Sequence, residues 1–145
     1  SVSPMSVKSR LKNLMPEIIA EFPPIRVMYL FGSCASGTSR CQSDVDIAVF
    51  TDGLETPTMD LDLGVFLQQR LNRPVDVVIM QKASPILQHE VLRNKDRIFE
   101  EHSATRTFLE NQSLRAYLDA RHYQRKRAQW RKLNGQDRPH ATPVE

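Results

Sequence analysis

The residues with the clearest chemical potential are Phe31-Gly32-Ser33 and, after ten intervening positions, Asp44-Val45-Asp46. A tight Gly-Ser turn lets backbone N–H groups approach a phosphate, because glycine has no Cβ in the way. Two carboxylates two residues apart on a strand point to one face, since strand side chains alternate. Asp44 and Asp46 therefore share a face, and Val45 turns the other way, into the core with Ile47 or its neighbours. A phosphate-binding turn beside paired carboxylates is what phosphoryl or nucleotidyl transfer needs.

Two carboxylates this close repel each other and raise each other's proton affinity unless a cation sits between them. Magnesium suits such a site, because it takes carboxylate, water and phosphate oxygens together. Two ions ~3.5–4 Å apart can hold the attacking and leaving oxygens of an in-line displacement. A third carboxylate should complete such a pair. Asp76 is the candidate: it is the one acid within the apolar run Val75 to Met80, and an isolated acid in such a run is costly to bury.

The elements that must hold these residues are legible along the chain. Val7, Leu11, Leu14, Met15 and Ile18 fall at helical spacing. Pro16 predicts a kink or a restart there, because its ring clashes with the carbonyl of Lys12, and Pro23-Pro24 closes the helix. Arg26 to Phe31 predicts a buried strand, Val45 to Phe50 a second, and Val75 to Met80 a third. A helix from Thr58 to Leu71 lies between the last two. Ser84 followed by Pro85 is a helix start, Arg97 to Glu100 a short edge strand, and Ser103 to about Lys132 a long helix. The order is that of an α+β (α/β) fold with one small mixed sheet flanked by helices. The expected organisation is a catalytic domain over 5–101, with Met5 as its start, a helical extension over 102–132 and a disordered tail over 133–145.

The stretch Tyr29-Leu30-Phe31-Gly32-Ser33 through Asp44-Val45-Asp46-Ile47-Ala48-Val49, with Asp76 on a later strand, resembles the DNA polymerase β nucleotidyltransferase superfamily. More narrowly, it resembles the minimal nucleotidyltransferase (MNT) antitoxins that pair with HEPN-domain toxins. The motif-level match runs from about Tyr29 to Met80, and the rest agrees only loosely. The resemblance implies a polymerase β-like nucleotidyltransferase fold, with Asp44, Asp46 and Asp76 as catalytic residues and ligands of two Mg2+ ions. It assigns Asp76 the further role of base for the incoming hydroxyl. It places Gly32, Ser33, Arg40 and Ser43 against the nucleotide, with Ser33 and its backbone on the β- and γ-phosphates. The activity it implies is that of a type VII-like antitoxin, transferring AMP from ATP to a tyrosine of a HEPN ribonuclease toxin in a hetero-oligomer. Cys34 and Ser36 stand where arginine is frequent in the family, which leaves more of the phosphate charge to Arg40. A contact-only antitoxin and an aminoglycoside-type transferase are the alternatives. The segment after Glu100 reads as a helix and a tail rather than a substrate domain, which favours a protein acceptor.

Composition narrows the field further. With 40% hydrophobic residues in 145, the chain can bury a modest core. No run approaches the ~20 apolar residues of a membrane span, and Ser1 to Arg10 has no signal-peptide core. The reading is a cytoplasmic protein without a membrane partner. The net charge of +3 conceals a basic segment from Arg121 to Arg138, which a solvated helix face explains better than nucleic acid does. Cys34 and Cys41 lack the partners of a zinc site and are expected to be reduced thiols. His89 is expected to pack and Lys82 to be exposed. Arg115 and His122 fit the Arg/His spacing of HEPN ribonucleases, but one helix cannot build that four-helix bundle.

Overall fold

The computed structural model describes residues 6–36 and 44–135. Four strands form one sheet in the order β3-β2-β1-β4: β1 is Ile25–Phe31, β2 Val45–Thr51, β3 Val75–Ile79 and β4 Asp96–Glu100. β1 is antiparallel to both β2 and β4, whereas β2 and β3 run parallel. A parallel pair needs a crossover, and helix α2 (Met59–Leu71) supplies it. The mixed sheet and flanking helices agree with the α+β reading.

Alternation along the strands sorts the side chains onto two faces. Met28 and Leu30 of β1 and Val45, Ile47 and Val49 of β2 join Leu11, Ile18, Leu63 and Leu67 from α1 (Val7–Glu21) and α2. Val27, Tyr29, Ala48 and Phe50 turn the other way, toward Met80 and Val91. That second face is covered by α3 (Pro85–Arg93) and α4 (Ser103–Leu133). Ser84 caps α3 as expected, its hydroxyl accepting from the Leu87 N–H at 3.2 Å, with Pro85 in the first turn.

Helix α1 runs from Val7 to Glu21 with Pro16 inside it, so the chain does not restart at the proline. Pro16 and Lys12 both face solvent, so the carbonyl deprived of a donor can turn to water while Leu11, Met15 and Ile18 hold the buried stripe.

A four-part polar network ties α4 to the sheet. The Tyr29 hydroxyl donates to Glu110 at 2.6 Å, Arg106 donates to Glu110 at 3.2 Å, and Arg106 also pairs with Glu100. Burial and then the hydrogen bond to Glu110 push the Tyr29 hydroxyl far above its ordinary range, so it stays a donor. His89 packs, as anticipated, stacked on Tyr117 with ring centroids 3.7 Å apart. Lys82 is exposed.

From Arg121 to Gly135 every residue is exposed, so the last part of α4 projects from the body. Arg115 and His122 are likewise on its exposed surface. Truncation after Ala120 removes no buried side chain among the described residues and is expected to change unfolding stability by no more than about 0.5 kcal/mol. Thermal denaturation of the shortened chain checks this, and a larger loss would mean that the projecting turns support the fold. No helix among the described residues is long and apolar enough to cross a membrane.

Candidate active site

The site forms where β1 ends and β2 and β3 begin. Phe31 closes β1, and the chain turns at once into a 3-10 helix, Gly32–Ser36. Gly32 has φ +75, a left-handed conformation that glycine adopts without a Cβ penalty. A second demand falls on the same residue. A Cβ there would meet the Asp46 carboxylate, overlapping Oδ2 and reaching Cγ at 3.3 Å. Glycine thus lets the turn lie directly against an acid of the neighbouring strand. Cys34 is buried in this turn, with its Sγ 3.8 Å from the Asp44 carbonyl oxygen. It is disulfide-bonded rather than the reduced thiol expected from the sequence. Cys41, Arg40 and Ser43 lie outside the described residues.

Asp44 immediately precedes β2 and is exposed, while Asp46 lies within the strand and is half-buried. Val45 and Ile47 point into the α1/α2 core, as the alternation demanded. The parallel register then pairs Asp46 with Asp76 and Val45 with Val75. Val77 packs against the α1/α2 core and Val78 against the opposite cluster, so Asp76 falls on the face that Asp46 shares. Sequence placed Asp76 on a strand, and pairing brought it to Asp46.

Electrostatics record this proximity. Burial, then Asp76, then Asp44 hold the Asp46 carboxyl above its ordinary range. Among the described residues, no three acidic, histidine or cysteine side chains are gathered as a metal-holding cluster. Asp44 and Asp76 are exposed. Three carboxylates from adjacent strand starts are the donor type that magnesium takes.

A group whose folded-state proton affinity is raised costs stability above its unfolded pKa, and the cost grows as pH rises through the folded value. Asp46→Asn removes that cost with almost no change in volume. In EDTA, the variant is expected to melt with the parent below about pH 4 and above it at pH 7. Parallel melting curves across that range measure the effect, and a variant less stable at pH 7 would contradict it.

A cavity of about 610 Å3 opens beside the turn, between Phe31, Gly32 and Ala35 on one side and Glu90, Asn94 and Lys95 on the other. The latter three come from the end of α3 and the turn into β4. Sequence reading missed them, because Asn94-Lys95 carries no signal beyond a helix stop. Another cavity, of about 550 Å3, lies by Phe22, Leu54 and Phe66 past the far end of β2, away from the carboxylates.

A family model described as polymerase beta, nucleotidyltransferase matches residues 13–104. The protein adenylyltransferase MntA of Shewanella oneidensis is 34% identical over 70 residues, 48% of this chain and 50% of that protein. The chain thus spans about half the length of this curated relative. A solved toxin–antitoxin with AMP-PNP is similar at a TM-score of 0.64 and 24% identity, over 87% of this chain and 96% of that one. A tri-AMPylated HEPN toxin in complex with MNT antitoxin, from Shewanella oneidensis, gives a TM-score of 0.62 at 21% identity, over 90% and 98%. At these identities the structural likeness is one of fold.

Proposed function

The chain belongs to the polymerase beta nucleotidyltransferase family, and from that premise we propose that it is a magnesium-dependent protein adenylyltransferase, an MNT antitoxin acting in the cytoplasm on a HEPN-domain toxin. The observation that carries this reading is the pairing of Asp46 with Asp76 across parallel strands, with Gly32 pressed against the Asp46 carboxylate. That arrangement sets a phosphate-admitting turn and a carboxylate pair side by side. The 34% identity to a protein adenylyltransferase supports the same acceptor class.

In the proposed reaction a tyrosine hydroxyl of the toxin attacks the α-phosphorus of ATP. An O–P bond forms, the bond to the β-phosphate bridge breaks, and pyrophosphate leaves. Asp76 takes the hydroxyl proton. Asp44, Asp46 and Asp76 would hold magnesium, which when bound offsets their charge and that of the phosphates. The turn at Gly32 and Ser33 orients the β- and γ-phosphates through its backbone donors, and Arg40 and Ser43 add to that grip.

The test is to look for a HEPN-type protein in the neighbouring reading frame and to follow its intact mass after incubation with this chain, ATP and magnesium. A mass gain of one or more AMP units is expected, located on tyrosine by fragmentation and absent in EDTA. An unchanged mass with both proteins folded and in complex would refute the catalytic reading.

A further inference from the structure

The sheet face shared by Asp46 and Asp76 is the one covered by α3 and α4. Phe31, which closes β1, packs with that same cluster. The cavity beside Gly32 therefore opens on the carboxylate side of the sheet, and its far wall is Glu90, Asn94 and Lys95. A volume of about 610 Å3 is in the range of small-molecule sites. From the turn, Gly32 and Ala35 line it, and neither carries charge. A nucleoside triphosphate seated here brings its charge to the turn residue Gly32, which lies against the Asp46 carboxylate, and Lys95 is the cation among the described lining residues.

Lys95 is placed to change partners. Its Nζ donates to the Leu92 carbonyl at 3.2 Å and lies 3.9 Å from Glu110. Glu110 already has two closer donors, the Tyr29 hydroxyl at 2.6 Å and Arg106 at 3.2 Å. Its charge stays satisfied if Lys95 moves away, so redirecting the ammonium costs little. The side chain is 28% exposed, and its flexible four-carbon stem lets the charge follow a ligand.

We propose that Lys95 binds the phosphate chain of the nucleotide, reaching into the cavity beside Gly32 from the α3–β4 turn. This rests on the nucleotidyltransferase reading of the site and adds a phosphate-binding residue from outside the Gly-Ser/Asp-x-Asp motif. The nucleotide is thereby held between the β1 end and the α3 end, on the side where the carboxylates face.

Calorimetric titration of the full chain with ATP, ADP, AMP and adenosine, in magnesium, tests it for the parent, Lys95→Gln and Lys95→Arg. A hydrogen bond to a charged group implies a loss of ATP affinity of about tenfold or more in Lys95→Gln. Adenosine binding should be unchanged, and Lys95→Arg should retain most of the ATP affinity. Thermal melting of each variant separates lost binding from lost fold, and Lys95→Arg keeps the charge if the glutamine variant melts early. Parental ATP affinity in a folded Lys95→Gln overturns the proposal while leaving the nucleotide site standing. Equal losses for adenosine and ATP overturn the phosphate assignment. A parent that binds no ATP overturns the nucleotide reading, and this inference with it.

Discussion

Under the proposed function, the double substitution Asp44→Asn with Asp46→Asn is expected to abolish AMP transfer while leaving the chain folded and bound to a HEPN-domain partner. Both changes conserve volume, and the pair includes Asp46, whose ionisation is disfavoured by burial, then Asp76, then Asp44, so the metal-free protein gains rather than loses stability. Transfer should fall by at least about 10³-fold, the upper end for loss of a single preorganised electrostatic group, because here two charges go at once. The measurement pairs intact mass of the toxin with co-purification of the complex and growth of cells expressing both proteins. The expected result is an unmodified, still-bound toxin and arrested growth. Continued protection with no mass gain would show that neutralisation is by contact and that the carboxylates serve another purpose.

Gly32→Ala should have the next largest effect, for two separable reasons. A non-glycine residue at φ +75 costs about 1–2 kcal/mol in a left-handed conformation. The new Cβ must also displace the Asp46 carboxylate it would overlap. Gly53 provides the control, since it too has positive φ, +88, but a Cβ there meets nothing within 4 Å. Gly53→Ala pays the conformational cost alone. Gly32→Ala is expected to be less stable than Gly53→Ala by about 1 kcal/mol or more, the scale of overpacking, and to lose transfer activity that Gly53→Ala keeps. Denaturant unfolding and the mass assay read the two effects. Equal stability of the variants would mean that Asp46 moves aside freely and that the close approach carries no constraint.

Sequence by itself determined the local events. The strands read at Arg26 to Phe31 and Val45 to Phe50, the capped start of α3 at Ser84-Pro85 and the opposite facing of Val45 and Asp46 all follow from short apolar runs, alternation and capping. Those signals lie within a few residues of one another, so no distant partner is needed to read them. The same locality let the Gly-Ser turn and the paired acids be recognised as one motif.

What only the tertiary structure decided is everything that depends on which strand lies beside which. Asp76 is exposed, and it became Asp46's partner because α2 carries the chain over to a parallel β3 in one register. A slip of one residue would have turned Asp76 into the α1/α2 core. Helix α1 passes through Pro16 because tertiary burial holds Leu11, Met15 and Ile18 while the proline faces water. Lys95 joined the site because the α3–β4 turn returns to the end of β1, some sixty positions away in sequence. Register and strand order are settled by burial shared between distant segments, and no short window of residues contains that information.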